Sequence, residues 1–204
     1  MPTLILVFSF QLQNNSLTSL TSELFSGLTG LAMLNLSQNA ISSLYLDETT
    51  FKGMKKLKIL DLSHNALTVI PKNMFYHLPN LQVLDLSFNQ MTILSSDHGL
   101  KSNLKMLVLS HNSIEEINEN ALDNLAQLNS LSLDHNQIRT VPVQTFVDNA
   151  NLEDLSFNGN QLSQIPESLK YLPNLRTLDL GENIIEDIAK PDILNNLKNL
   201  YGLR

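Results

Sequence analysis

The chain has 204 residues, of which 43% are hydrophobic and 16% charged, enough to enclose a continuous core and keep a polar surface. Its net charge of −7 disfavours nucleic acid and anionic membrane surfaces as partners, and no apolar stretch approaches the roughly 20 residues that span a bilayer, so no membrane contact is expected. The absence of cysteine excludes disulfides, thiolate nucleophiles and thiolate zinc sites.

One asparagine-centred motif recurs along the whole chain. In its third copy, Leu57, Leu60, Leu62, Asn65 and Leu67 fit the pattern L-x-x-L-x-L-x-x-N-x-L. Successive asparagines are 23 to 26 residues apart, a period typical of solenoid repeats. The eight asparagines are Asn15, Asn39, Asn65, Asn89, Asn112, Asn136, Asn160 and Asn183. Residues 1–204 are therefore predicted to form one solenoid of eight stacked coils.

Within each coil, the L-x-L step predicts a short strand, because alternate side chains of a strand point to opposite faces. The leucines are expected to face inwards, where one coil alone cannot bury them and stacked coils can. Each asparagine is expected to turn inwards as well, since its amide can bind backbone groups at the bend after the strand. The prediction is a concave parallel sheet of eight strands with a buried column of asparagines.

The return of each coil carries a large apolar residue six positions before the next motif. These residues are Phe25, Phe51, Phe75 and Phe146, with Leu122, Leu169 and Leu194 in the place of phenylalanine. They are expected to fill an irregular or 3-10 convex side that is wider than the strand side. The predicted fold is thus an α/β repeat solenoid, a horseshoe with its sheet inside the arc.

Two internal segments and both ends depart from the regular pattern. Residues 45–50 lengthen one coil by two residues and are expected to bulge, whereas residues 95–101 lack the phenylalanine and are expected to pack more loosely. Leu4 and Val7 start the chain inside a coil, and the leucines of residues 194–203 begin a ninth repeat. Because terminal coils need polar caps and no capping module is visible, we expect a fragment of a longer array.

The strand positions that point away from the core form columns across the coils, where a ligand could lie. Their middle coils are apolar, with acidic residues beside them, which is the make-up of an interface with an anchor and a polar rim. The predicted ligand-binding residues are Met33, Ile59, Asp61, Val83, Asp85, Phe88, Met106 and Val108. The alternative is that methionine and β-branched residues only favour strand pairing.

Histidine directly precedes the asparagine in three coils, at His64, His111 and His135. Imidazoles from adjacent coils could bind a divalent metal or respond to pH, but the spacing specifies no third ligand, so no metal site and no cofactor are predicted. Ser63 lies beside His64, yet successive strand residues point in different directions and cannot form a nucleophile and base pair. The sequence predicts no catalytic residue and no enzymatic activity.

Two N-x-S sequons begin at Asn14 and Asn35, and both are candidate N-glycosylation acceptors if the chain is secreted. A chain so rich in asparagine, serine and threonine would contain about two sequons by chance. Asn35 belongs to the concave columns, so a glycan there would block one end of the groove.

The full period, L-x-x-L-x-L-x-x-N-x-L-x-x-I-P-x-x-x-F-x-x-L, resembles the 24-residue leucine-rich repeat of extracellular animal proteins, over essentially the whole chain. Residues 60–65 (LDLSHN) and 84–89 (LDLSFN) are similar to segments of Toll-type innate-immunity receptor ectodomains. The resemblance implies an extracellular ectodomain fragment that binds a protein ligand or co-receptor and dimerises for signalling. Adhesion or guidance proteins and matrix scaffolds have similar repeats and are the alternatives.

Overall fold

Each coil contributes one short strand to a parallel sheet in the computed structural model, which describes residues 8–25, 27–186 and 191–203. The coils stack into a solenoid of about eight turns, consistent with the predicted horseshoe. Leu4 and Val7, expected to start the first coil, lie outside the described residues. The strands are β1 (Ser9–Gln11), β2 (Met33–Asn35), β3 (Ile59–Asp61), β4 (Val83–Asp85), β5 (Ile93–Leu94), β6 (Met106–Val108), β7 (Glu116–Ile117), β8 (Ser130–Ser132), β9 (Asp154–Ser156), β10 (Thr177–Asp179) and β11 (Gly202–Leu203).

The main sheet runs in the order β1-β2-β3-β4-β6-β8-β9-β10-β11, and all its pairs are parallel. It has nine strands where eight were predicted, because β11, from the incomplete ninth repeat, pairs with β10. The register aligns the same motif position in every coil, as in the pairing of Leu34 with Leu60 and of Leu60 with Leu84. These three leucines have no exposed surface, so the sheet covers a core that runs through the stack.

The asparagine column behaves as predicted in the interior of the stack. The Nδ2 group of Asn112 donates to the carbonyl oxygens of Leu109 and of Leu86 in the preceding coil, both at 3.0 Å, and its Oδ1 accepts from the Met91 N–H at 3.0 Å. Each such amide therefore ties two coils together and satisfies backbone groups that face no water. The buried members of the column are Asn65, Asn89, Asn112, Asn136 and Asn160.

The prediction of burial is wrong for the asparagines near the ends. Asn39 and Asn183 are half-buried, and Asn15 is exposed. For Asn15 the bonds show the physical reason, because the buried amides reach back to the coil before them and the Asn15 amide does not. Asn39 donates to Leu12 of the first coil, whereas Asn15 donates within its own coil, to Leu12 and Gln13.

The convex side is irregular, with three short 3-10 helices at Ser22–Phe25, Ser43–Tyr45 and Glu167–Tyr171, one α-helix, α1 (Pro191–Asn195), and the pair of β5 with β7. These are the elements within the described ranges. The predicted phenylalanine column is confirmed: Phe25, Phe51 and Phe75 are buried and their rings stack with centroids 6.3 Å apart. Aromatic stacking thus joins the backs of adjacent coils.

The expectation of looser packing in residues 95–101 is wrong, because His98 occupies the place of the missing phenylalanine. The His98 ring is 3% exposed. Its Nδ1 accepts from the Leu100 N–H at 3.0 Å, so its Nε2 carries the proton that is donated to the Ala121 carbonyl at 2.8 Å. Gly99, with φ +79°, allows the tight turn, since a Cβ there would lie 2.9 Å from a backbone nitrogen of the preceding coil.

The longer loop at residues 45–50 moves the buried position of its coil by two residues. Leu44, which the motif pattern places with the apolar residues of the other coils, is 79% exposed, and Leu46 is buried instead. The Ser43 hydroxyl donates to the Val69 carbonyl at 2.6 Å and so anchors the loop to the next coil. The bulge leaves the concave sheet undisturbed, because β2 and β3 on either side of it pair in the regular register.

Candidate functional site

Four of the predicted binding residues form one unbroken row across the concave sheet. The strand register pairs Met33 with Ile59, Ile59 with Val83 and Val83 with Met106. Adjacent strands of a sheet lie about 4.8 Å apart, so these neighbouring side chains are within contact distance. We call this row, Met33, Ile59, Val83 and Met106, the apolar strip.

The apolar strip is open to solvent, most of all at its two ends. Met33 is 36% exposed and Met106 is 41% exposed, while Ile59 and Val83 between them are half-buried. The next strand along places Ser130 beside Met106, so the strip stops at β8. Because the leucines of the same strands already fill the core, these four side chains are additional to what the fold requires.

The predicted acidic border lies in the neighbouring column, but its carboxylates also have a structural task. One oxygen of Asp61 accepts from the N–H and the hydroxyl of Ser63 at 2.9 and 2.7 Å, and Asp85 binds Ser87 in the same way. Such bonds close the turn at the end of a strand. Asp61 and Asp85 are half-buried, and Val108 stands next to Asp85 in the same column.

A basic border lies on the opposite side of the apolar strip and was missed by the sequence reasoning. Lys58 and Lys105 are exposed and directly precede the strip residues of β3 and β6. Backbone bonds from Gln82 N–H to the Lys58 carbonyl and from Lys105 N–H to the Gln82 carbonyl, both 2.8 Å, place them in one line. Its sequence signal is a lysine directly before Ile59 and another directly before Met106.

The remaining predicted residue, Phe88, belongs to a column of stacked rings beyond the ends of the strands. Its centroid lies 4.1 Å from that of His64 and 4.2 Å from that of His111, and His111 lies 4.5 Å from His135. All four residues have φ between +51° and +54°, a left-handed turn conformation that the sequence did not reveal. We call His64, Phe88, His111 and His135 the ring column.

The ring column perturbs its central imidazole. Partial burial lowers the pKa of His111, and the nearby imidazoles of His135 and His64 lower it further, whereas Asp134 opposes the shift. Within the described part of the chain, no group of three or more His, Asp or Glu side chains has an arrangement that could hold a metal ion. The Ser63 hydroxyl faces Asp61 while the His64 ring stacks on Phe88, so the two side chains diverge.

The C-terminal half of the concave face has a different character. A cavity of about 480 Å³ spans β8 to β11, and its lining includes the polar side chains Ser132, Asp154, Ser156 and Asp179. The hydroxyl of Ser156 donates to Asp134, and that of Thr177 to Asp154. This half satisfies many of its polar groups internally and presents no apolar row.

The sequons lie in different surroundings. Asn35 stands in the same column as Asp61, and its Oδ1 accepts from the Ser37 N–H at 2.9 Å and the Ser37 hydroxyl at 2.7 Å. Asn14 is exposed with φ +57°. Both side chains are at the surface near the N-terminal end of the sheet. Over the described ranges, no helix is long and apolar enough to cross a membrane.

Comparison with known proteins gives relatives that match nearly the whole chain. Mouse (Mus musculus) podocan is 29% identical over 199 residues, which are 96% of this chain and 28% of podocan. Bovine (Bos taurus) osteomodulin is 33% identical over 175 residues, 85% of this chain and 34% of that protein. Human (Homo sapiens) podocan-like protein 1 is 34% identical over 194 residues, 93% of this chain and 32% of that protein.

The chain thus spans about a third of the length of these relatives. The family described as leucine rich repeat matches residues 8–48, 44–91, 96–138 and 126–185, which together include every asparagine of the column. The repeat period, the parallel sheet and this match agree, and the chain belongs to the leucine-rich repeat family.

Proposed function

We propose that this chain is the protein-binding segment of an extracellular leucine-rich repeat protein and that the apolar strip anchors its partner. The observation that supports this most is the row from Met33 to Met106, four apolar side chains in register on a solvent-facing sheet. Exposing such a row in water is unfavourable, and contiguous exposed apolar surface in soluble proteins marks interaction sites.

The borders of the strip support a protein partner in particular. The exposed Lys58 and Lys105 lie on one side, and the half-buried Asp61 and Asp85 lie on the other, so the anchor has charged groups of both signs at its rim. Apolar centres with polar rims are typical of protein interfaces. Rim charges of both signs speed encounter and fix the orientation of a partner more than they add affinity.

The relatives favour a matrix protein over a Toll-type receptor. Podocan, podocan-like protein 1 and osteomodulin are extracellular matrix leucine-rich repeat proteins. Their likeness to this chain favours the matrix-scaffold alternative over the Toll-type receptor that residues 60–65 and 84–89 resemble. We therefore place the chain outside the cell, in a matrix protein that binds another protein and catalyses no reaction. Glycosylation at Asn14 and Asn35 is part of the same proposal.

The proposal can be tested by capture from conditioned culture medium on the immobilised chain. The double variant Val83→Glu, Met106→Glu puts two charges into the apolar strip without touching a core leucine. The matched control, Val143→Glu, Val147→Glu, makes the same kind of change at two residues that are 40% and 46% exposed away from the sheet. Circular dichroism should show that both variants fold.

We expect a secreted protein that binds the wild type and the control equally and binds the strip variant at least about tenfold more weakly. Sedimentation of the chain alone would show whether that partner is a second copy. Equal capture by all three chains, or capture by none of them, contradicts the proposal.

A further inference from the structure

The sulfur atoms of this chain are distributed unevenly between its surface and its core. There is no cysteine, so the methionines carry all of the sulfur. Met54, Met74 and Met91 have no exposed surface, whereas Met33 and Met106 are 36% and 41% exposed. Among residues 8–25, 27–186 and 191–203, Met33 and Met106 are therefore the methionines whose sulfur dissolved oxidants can reach.

The two exposed methionines have a specific place, one at each end of the apolar strip. Two strands, with Ile59 and Val83, separate them, which corresponds to about 14 Å across the sheet. The Met33 sulfur accepts a weak bond from the Gln11 side-chain amide at 3.6 Å, and both residues are exposed, so this contact leaves the sulfur accessible.

We propose that Met33 and Met106 are modification sites for hydroperoxides, and that their oxidation weakens binding at the apolar strip. The second half of this inference rests on the proposed function. In the reaction, a lone pair of the thioether sulfur attacks one peroxide oxygen and the O–O bond breaks. An S–O bond forms and the proton of the attacked oxygen passes to the leaving oxygen, which departs as water from hydrogen peroxide or as an alcohol from an organic hydroperoxide. Sulfur thereby loses two electrons and the peroxide gains them.

Oxidation at these positions changes the chemistry of the whole strip. A sulfoxide oxygen is a strong hydrogen-bond acceptor, and a partner that covers it must remove its water without offering a replacement. With both ends converted, Ile59 and Val83 would remain as an apolar row of two. The core is unaffected, because its methionines are sealed among leucines and phenylalanines.

The first test needs no partner and uses hydrogen peroxide on the intact chain, followed by peptide mapping with mass spectrometry. Met33 and Met106 should gain one oxygen at least about ten times faster than Met54, Met74 and Met91. Circular dichroism should be unchanged at that stage. Equal rates for the exposed and buried methionines would overturn the assignment.

The second test compares the wild type with Met33→Leu, Met106→Leu, which keeps the strip apolar and removes its oxidisable sulfur. The probe is the secreted protein that binds the variant Val83→Glu, Met106→Glu more weakly than it binds the wild type. Each chain is compared with its own untreated sample: peroxide should weaken capture by the wild type about tenfold and should not change the capture that the untreated leucine variant shows. An equal loss in both chains overturns the inference, while failure of the glutamate variant to reduce capture contradicts the proposed function separately.

Discussion

The asparagine column and the residues that directly precede its members both run along the whole stack, yet these two positions follow different rules. The ring column is the part of the preceding position that carries rings. In the interior, the asparagine is buried and repeats the same bonds, to three carbonyls and one N–H, as Asn65 does. The residue before it has positive φ in all eight coils and is Asn14, Gln38, His64, Phe88, His111, His135, Gly159 or Glu182. The asparagine position requires one residue type, whereas the position before it requires only a left-handed backbone conformation.

This difference shows what the coil demands at its tightest bend. The bend buries backbone groups that only a short amide side chain can satisfy from inside, whereas the preceding residue points outwards and must only accept a left-handed φ. A side chain there can therefore vary and acquire contacts with its equivalents in neighbouring coils. The four stacked rings are such acquired contacts.

The largest loss of stability is expected from a substitution in the asparagine column. Asn112→Leu removes an amide that bonds to Leu86, Leu109 and Met91, and should lower the free energy of unfolding by about 1–3 kcal/mol, because buried backbone groups lose their partner. Asn15→Leu is the matched control, since Asn15 is exposed and bonds within its own coil. Chemical denaturation measures both, and equal losses would show that position in the stack is irrelevant.

An intermediate effect is expected where the ring column meets a glycine. Gly159 has φ +66°, and a Cβ there would lie 2.5 Å from Nδ1 of His135. Gly159→Ala should cost about 1–2 kcal/mol, from left-handed strain and from displacement of the imidazole. In a His135→Ala background the displacement part disappears. Thermal denaturation of the four chains should therefore show a smaller loss in that background, and an identical loss would mean that backbone strain acts alone.

The same contrast explains how far the sequence could predict the structure. The inner positions are set by needs common to all coils, so Asn112, Leu60 and Phe51 could be assigned from spacing alone. His98 could not, because its suitability for a phenylalanine site depends on Leu100 and Ala121, which complete its hydrogen bonds. For the candidate site, the register of the apolar strip followed from the motif.

Other features of the site depend on three-dimensional detail that the motif does not encode. The turn bonds of Asp61 and Asp85 and the left-handed φ of the ring column became visible only in the structure. Leu44 is a similar case, since its exposure follows from how the longer loop folds. Periodicity fixes which residues share a column, but local loop geometry decides what each outward side chain touches.

His98, which occupies a phenylalanine position, should make the stability of the chain depend on pH, because a buried imidazole titrates where a phenyl ring does not. Burial lowers the pKa of His98, so the folded state favours its neutral form. Stability from this group is present above the ordinary value of 6.5 and is lost as pH falls below it, by at most about 1.4 kcal/mol per pH unit. Denaturation of His98→Phe should show a shallower acid dependence than the wild type. Parallel pH profiles would contradict this role.

The smallest effect is expected in the ring column itself, at His111. Phe88 shows that a phenyl ring fits the stack, so His111→Phe should change the free energy of unfolding at pH 7.5 by less than about 0.5 kcal/mol. His111→Ala removes two ring contacts and should lower it by about 0.5–1 kcal/mol. Since burial and the neighbouring imidazoles lower the pKa of His111, acid should destabilise the wild type more than His111→Phe below pH 6.5. Urea denaturation at pH 7.5 and pH 5 measures both. If the alanine and phenylalanine variants are equally stable at pH 7.5, ring stacking contributes nothing to stability, and the ring column is constrained by its backbone conformation alone.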